Sequence, residues 1–244
     1  MHGFLGRGES WREVAQSFRE KYFCILPDLP GHGQNTNSDL SSPLNFDIVA
    51  DWLFHLLEEI SAPKIHLVGY SLGGRAALTF ACRYPKRILT LTLESANPGI
   101  VDESERAKRS AEDSSRAESI LKNGISAFVD GWYQMPLFAS LQNHPEKLAV
   151  IKESAKQNDP RWMAKVIYEL SPGLQTPLWN CLPNLSFPVL LIGGGDDKKY
   201  AQIIPAISEK IPNSRYEIIP DAGHNIHAEQ PGKYISLLQN FLPK

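Results

Sequence analysis

His66-Leu-Val-Gly-Tyr-Ser71-Leu-Gly-Gly-Arg75 sets a serine between two short apolar runs of different character. Lys64 to Val68, before it, is short and apolar in the manner of a buried strand, whereas Leu72 to Arg83, after it, contains the helix formers Ala76, Ala77 and Leu78. Gly69 and Gly73 let the strand turn straight into the helix, because a side chain next to the serine would collide with the neighbouring backbone. Ser71 then stands at a helix N-terminus. There the Leu72 N–H and the positive end of the helix dipole face any oxyanion that forms beside the hydroxyl. A bare G-x-S-x-G occurs by accident, but a strand before and a helix after make it a nucleophile elbow.

Outward from the elbow, strand-like and helix-like segments alternate. Strands are predicted at Tyr22 to Leu26, Ile88 to Leu93, Pro188 to Ile192 and Arg215 to Ile219. Helices are predicted after Ser10 (Trp11, Val14 and Phe18 at helical spacing), over Phe46 to Ile60, near Tyr200 to Ile211 and from Pro231 to Phe241. This alternation predicts an α/β fold, a mostly parallel sheet with helices on both faces. From about Asn97 the alternation stops and helix-type, charged and aromatic-rich segments take over. The expected organisation is therefore a core in two parts, 1–96 and 185–244, around an inserted helical cap, 97–184. No internal repeat is present.

Of the 244 residues 42% are hydrophobic and 21% charged, values of a globular chain with an ample core. A net charge of -2 argues against a nucleic-acid partner. No apolar run approaches the ~18 residues that cross a bilayer, and the N-terminus lacks the basic flank and apolar core of a signal peptide. No membrane association and a cytoplasmic location are expected. Cys24, Cys82 and Cys181 are odd in number, far apart and in no C-x-x-C pair, so neither a disulfide framework nor a thiolate metal site is expected.

A serine nucleophile needs a base, and Asp221-Ala-Gly-His224-Asn-Ile-His227 offers one in a loop between the last strand and the last helix. Gly223 frees the backbone to aim the His224 ring. His227 is the rival; as a metal pair His224 and His227 lack further ligands, and no metal or cofactor is implied.

The elbow, with a late acid and a later histidine, resembles the α/β-hydrolase fold, in which the triad runs serine, acid, histidine. The G-x-x-D spacing of that fold selects Asp196 in Gly193-Gly-Gly-Asp196-Asp197, with Asp197 as the competing carboxylate. His2-Gly-Phe-Leu-Gly6 looks like the H-G-x loop of the fold, which implies that the Phe4 N–H is the second oxyanion donor opposite Leu72.

A narrower resemblance follows from that loop together with Val68-Gly-Tyr-Ser-Leu-Gly-Gly-Arg75, Glu94-Ser-Ala-Asn-Pro-Gly-Ile100 and Trp132-Tyr-Gln-Met-Pro-Leu-Phe138. These stretches are similar to the 2-succinyl-6-hydroxy-2,4-cyclohexadiene-1-carboxylate synthases of menaquinone and phylloquinone synthesis, over nearly the whole chain. The resemblance implies a lyase that expels pyruvate from a polycarboxylate, with Ser71 as base rather than acyl carrier, and a pocket with fixed cations. Arg75 lies one helical turn after Ser71, on the same face, and is the first cation. By the resemblance Arg109 is the second, and Tyr70 and Trp132 form an aromatic wall; Arg106 and Arg116 also suit a solvated helix face. Where the family has a third arginine this chain has Lys152, which keeps the charge without the bidentate fork. The competing activities are a serine hydrolase of a small carboxylated ester or of a vinylogous diketone C–C bond, and a ligand sensor that signals through its cap. The chain is expected to act as a monomer or homodimer on a small molecule.

In this fold the H-G-x loop follows a sheet strand, yet only Met1 precedes His2. The natural chain is therefore expected to begin upstream, by roughly 15 to 30 residues, enough for two to three strands; without them an exposed sheet edge and an unanchored oxyanion donor are expected.

Overall fold

In a computed structural model that describes residues 1–243, four strands form one sheet. They are β1 (Ile65–Tyr70), β2 (Ile88–Glu94), β3 (Val189–Gly194) and β4 (Ser214–Ile219), all parallel, in the order β1-β2-β3-β4. Every residue of β3 is buried, as expected for an apolar strand covered on both faces, while β4 exposes Arg215, Tyr216 and Glu217 at the sheet edge.

The helices obey their apolar spacing. α1 (Arg12–Gln16) is short, and Phe18, expected within it, follows in a turn; the Ser10 hydroxyl donates to the Arg7 carbonyl and does not cap it. α2 (Phe46–Glu59) starts where the Asn45 side chain accepts from the Ile48 N–H, and it buries Val49, Ala50, Leu53 and Leu57 on one face. Each such buried leucine contributes about 1.5–3 kcal/mol. α3 (Leu72–Arg83), the helix after the elbow, is buried from Leu72 to Ala81.

Between β2 and β3 there are only helices: α4 (Glu103–Asn123), α5 (Ile125–Trp132), α6 (Pro145–Lys156) and α7 (Pro160–Glu169), with short 3-10 turns. α4 is polar along most of its length and buries Asp113, Ala117 and Ile120, largely against α7. After β3 come α8 (Lys198–Ser208), then β4, α9 (Ile226–Glu229) and α10 (Pro231–Phe241).

Two further expectations are corrected. Tyr22 to Leu26 is not a strand: it has no regular secondary structure and Phe23 is 89% exposed, and an apolar cleft of about 370 Å³ is lined by residues of both this segment and β1, among them Leu26 and Val68. A strand needs a ladder partner, and none lies alongside it. At the β1 edge the Met1 carbonyl accepts from the Tyr70 N–H at 3.0 Å, and the Met1 amino group donates to the Val68 carbonyl. The expectation of unbridged cysteines also fails. Cys82, near the end of α3, is disulfide-bonded to Cys181, in the segment leading from the helical stretch back to β3, and Cys24 is free. The two lie 99 residues apart in sequence with Cα atoms 6.1 Å apart, a proximity that only the folded chain creates. Among the described residues no helix is long and apolar enough to cross a membrane.

Candidate active site

At the end of β1 the backbone reverses at Ser71, whose φ of 51° and ψ of -111° are strained for a residue with a side chain. An added Cβ at Gly69 would lie 2.5 Å from the Gly73 carbonyl oxygen, and one at Gly73 would lie 2.3 Å from the His2 carbonyl oxygen. Both positions therefore exclude a side chain. The second contact brings the His2–Gly6 loop against the helix N-terminus; Gly3 packs on Tyr70 and Ser71, and the Gly6 N–H to Gly3 carbonyl bond (3.0 Å) closes a turn around Phe4. No backbone acceptor engages the Phe4 or Leu72 N–H among the described residues. His2 is structural: its Nε2 accepts from the Leu29 N–H at 2.9 Å.

Ser71 Oγ lies 3.0 Å from His224 Nε2, and His224 Nδ1 lies 2.7 Å from Asp197 Oδ2. The histidine and aspartate side chains are each 3% exposed. The structure thus places Asp197, not Asp196, against the histidine. Asp196 is exposed, and its N–H is tied to the Ala222 carbonyl at 3.0 Å. What decides between the neighbours is the start of α8: Asp197 is its N-cap, with Oδ1 accepting from the Tyr200 N–H at 3.3 Å, which turns Oδ2 toward His224. A carboxylate on Nδ1 fixes the tautomer whose bare Nε2 can take the Ser71 proton.

Aromatic rings enclose this line. Tyr70, Tyr200 and Phe138 have ring centroids 5.4, 5.0 and 6.0 Å from that of His224. Burial, with Glu94 nearby, pushes the Tyr70 phenol well up, so it stays protonated. Trp132 packs 5.2 Å from Phe4 and 6.0 Å from Phe138.

The cations differ from one another in placement. Arg75 is buried; its Nη1 donates to the Leu170 carbonyl (3.1 Å) and to Gln175 Oε1 (3.3 Å), and its guanidinium lies 4.8 Å from the Phe46 ring centre. These bonds leave Nε and Nη2 uncommitted. Burial lowers its pKa to about 10, so it remains charged at neutral pH. Arg109 donates from Nε to Asp113 Oδ2 at 2.8 Å, and the Arg116 Nη1 reaches the other oxygen at 2.6 Å; both are only part-exposed. Asp113 is fully buried and also accepts from the Ser171 hydroxyl at 2.7 Å, so α4 is anchored by this carboxylate. Arg116 in turn lies 5.9 Å from the Trp132 ring centre, and Arg106 donates through Nε to the Gly173 carbonyl. Lys152 pairs with Asp130 at 2.5 Å.

Lys199, beside the acid, was not singled out from the sequence. Its Nζ is 5.9 Å from the Tyr200 ring centre, and its pKa is lowered, first by desolvation and then by the nearby Arg109 charge. A lysine two residues after the acid and facing two arginines carries no sequence pattern; only position relative to Asp197 could have pointed to it. Among the described residues no group of three or more His, Cys, Asp and Glu could hold a metal ion.

Comparison with known proteins places the chain in a family. Residues 1–231 match the family model of the alpha/beta hydrolase fold. The protein PHYLLO, chloroplastic, of Arabidopsis thaliana is 34% identical over 258 residues; the match takes in 100% of this chain, which spans only 15% of that protein's length. The 2-succinyl-6-hydroxy-2,4-cyclohexadiene-1-carboxylate synthase of Enterobacter sp. (strain 638) is 32% identical over 242 residues, covering 99% of this chain and 90% of that one. Among solved structures, MenH from S. aureus superposes with a TM-score of 0.95 at 34% identity, covering 99% of this chain and 91% of that chain. The chain belongs to the alpha/beta hydrolase fold family and, within it, to the 2-succinyl-6-hydroxy-2,4-cyclohexadiene-1-carboxylate synthases.

Proposed function

We propose that this chain is a carbon–oxygen lyase that eliminates pyruvate from 2-succinyl-5-enolpyruvyl-6-hydroxy-3-cyclohexene-1-carboxylate to give 2-succinyl-6-hydroxy-2,4-cyclohexadiene-1-carboxylate. The observation that carries it is the pairing of the Ser71–His224–Asp197 line with buried and half-buried arginines, Arg75, Arg109 and Arg116, on the elements around it. A substrate with several carboxylates needs such cations, and a neutral ester does not.

In this mechanism His224 Nε2 takes the proton of Ser71, and the Ser71 oxygen removes the proton α to the succinyl ketone. The Phe4 and Leu72 N–H groups hold the enolate oxygen, with the dipole of α3 behind them. The electron pair then runs through the ring double bond and breaks the C–O bond to the enolpyruvyl group, which leaves as the enolate of pyruvate and is protonated. No acyl-enzyme forms and no water is consumed. Arg75 and Arg109 orient the substrate so that its C–H faces Ser71. Tyr70 and Trp132 line the ring-binding side, and Lys199 adds positive charge near the acid. Lys152, paired with Asp130, is the remaining cation of the proposed set.

Residues 97–184 act as a helical cap over a core formed by 1–96 and 185–244, in line with Trp132 packing on Phe4 and Phe138 on His224. Incubation with the enolpyruvyl substrate should release pyruvate and the conjugated diene. Hydrolysis of a neutral ester with no pyruvate release would overturn the lyase and favour the hydrolase.

A further inference from the structure

Behind the serine and histidine lies a second histidine–carboxylate pair that the elimination does not use. Glu94 closes β2 beside the elbow, in register with Tyr70, and is fully buried. Its main-chain carbonyl accepts from the Ser71 N–H at 2.9 Å. Its carboxylate accepts from the His227 N–H through Oε1 (3.0 Å) and meets His227 Nδ1 through Oε2 (2.8 Å) and Oε1 (3.0 Å). One residue thus grips the nucleophile by its backbone and the histidine-bearing segment by its side chain.

The rest of the segment is held in the same way. His227 stacks on Trp11 with centroids 4.1 Å apart and planes 12° apart, and Tyr70 stands between the two histidines, 5.1 Å from His227 and 5.4 Å from His224. A second carboxylate, Glu229, also buried, accepts from the Gly223 N–H (2.9 Å) and the Asn225 N–H (3.2 Å), the residues flanking His224. A carboxylate is costly to bury unless its oxygens are engaged, and here both are engaged by the one segment that must present an imidazole to Ser71.

Resting on the proposed roles of Ser71 and His224, we propose that Glu94 and His227 are positioning residues. Through the hydrogen bonds of the Glu94 carboxylate to His227 they fix where the His224 ring stands relative to the Ser71 hydroxyl. Displacing a reacting group by about 1 Å costs roughly 100-fold, and at metal sites the loss of a hydrogen bond that orients a functional histidine costs about 10–100-fold.

Three variants of the full chain test this: His227→Leu, His227→Asn and Glu94→Gln. Both His227 variants lose the stacking on Trp11, but the asparagine amide can donate to Glu94 from near the Nδ1 position and leucine cannot. Two rates are read per folded molecule, kcat and KM for pyruvate release and the rate at which a small fluorophosphonate labels Ser71. His227→Leu is expected to lower kcat and the labelling rate about 10–100-fold with KM within about twofold. His227→Asn should return both rates to within about threefold of wild type. Glu94→Gln, which keeps one oxygen for the His227 N–H, should fall between, and it decides the matter if His227→Leu does not fold. Equal impairment of the two His227 variants, or wild-type rates in Glu94→Gln, would overturn the positioning role. Failure of the underlying reading looks different: wild-type Ser71 would resist labelling, or Ser71→Ala would still release pyruvate.

Discussion

Replacing Asp197 by asparagine reverses one hydrogen bond at constant volume. In the wild type the carboxylate accepts from His224 Nδ1 at 2.7 Å, leaving Nε2 bare toward Ser71 Oγ at 3.0 Å. The other oxygen caps α8 through the Tyr200 N–H. An asparagine that keeps the cap with its amide oxygen turns its NH2 group to Nδ1, which must then accept. The ring proton moves to Nε2, and Ser71 has no base. The corresponding substitution in serine proteases costs about 10,000-fold in kcat, which is about 5.5 kcal/mol at roughly 1.36 kcal/mol per factor of ten. Because the cap persists and no cavity opens, the cost in stability should stay below about 1 kcal/mol, a shift in Tm of a few degrees. Asp196→Asn alters an exposed side chain and should retain wild-type turnover. The assay is the initial rate of pyruvate release alongside thermal melts of both variants. An inactive Asp196→Asn beside a near-wild-type Asp197→Asn would refute the assignment of the acid.

Arg75→Ala and Arg109→Ala should each raise KM for the polycarboxylate about 10–100-fold, the value of a charge-assisted hydrogen bond, and leave hydrolysis of a nitrophenyl acetate unchanged or negligible; normal KM in both would remove them from the binding site. His32 is fully buried with its pKa lowered to about 4, chiefly by desolvation. An unfolded chain protonates this histidine below about 6.5 while the folded chain does not, so stability falls as pH drops from about 6.5 toward 4, by up to about 1.4 kcal/mol per pH unit. His32→Asn should flatten that slope in urea unfolding by about one proton, and an unchanged slope would contradict it. Alkylation of the unfolded, unreduced chain should modify Cys24 alone, whereas three modified thiols would disprove the Cys82–Cys181 bond. By chain entropy a 99-residue loop contributes up to about 4.7 kcal/mol, so Cys181→Ser should lower the urea midpoint markedly.

The elements around the serine were legible because their signals are local. Leu72 to Arg83 and Pro231 to Phe241 begin and end where spacing and proline place them. The acid was legible only to within one residue. Asp196 and Asp197 both follow β3, and the choice rests on which one caps α8 while its neighbour's N–H bonds Ala222, a contact across 26 positions of sequence. Tyr22 to Leu26 has strand composition, but a strand is defined by its partner, which composition does not contain. The same holds for the arginines of α4: the sequence shows a run of mixed charge, and the buried Asp113 that gathers Arg109 and Arg116 is not distinguishable in it from a solvated aspartate. Cys82 and Cys181, 99 residues apart in sequence, are neighbours only in the folded chain.

The central claim is that Ser71 serves as a base and not as an acyl carrier. Its most direct measurement is the mass of enzyme and product after a single turnover of the enolpyruvyl substrate in oxygen-18 water. The account predicts one pyruvate per diene, a diene carrying no solvent oxygen, and enzyme of unchanged mass throughout. A ring product heavier by one labelled water, or enzyme carrying an acyl group on Ser71, would contradict it.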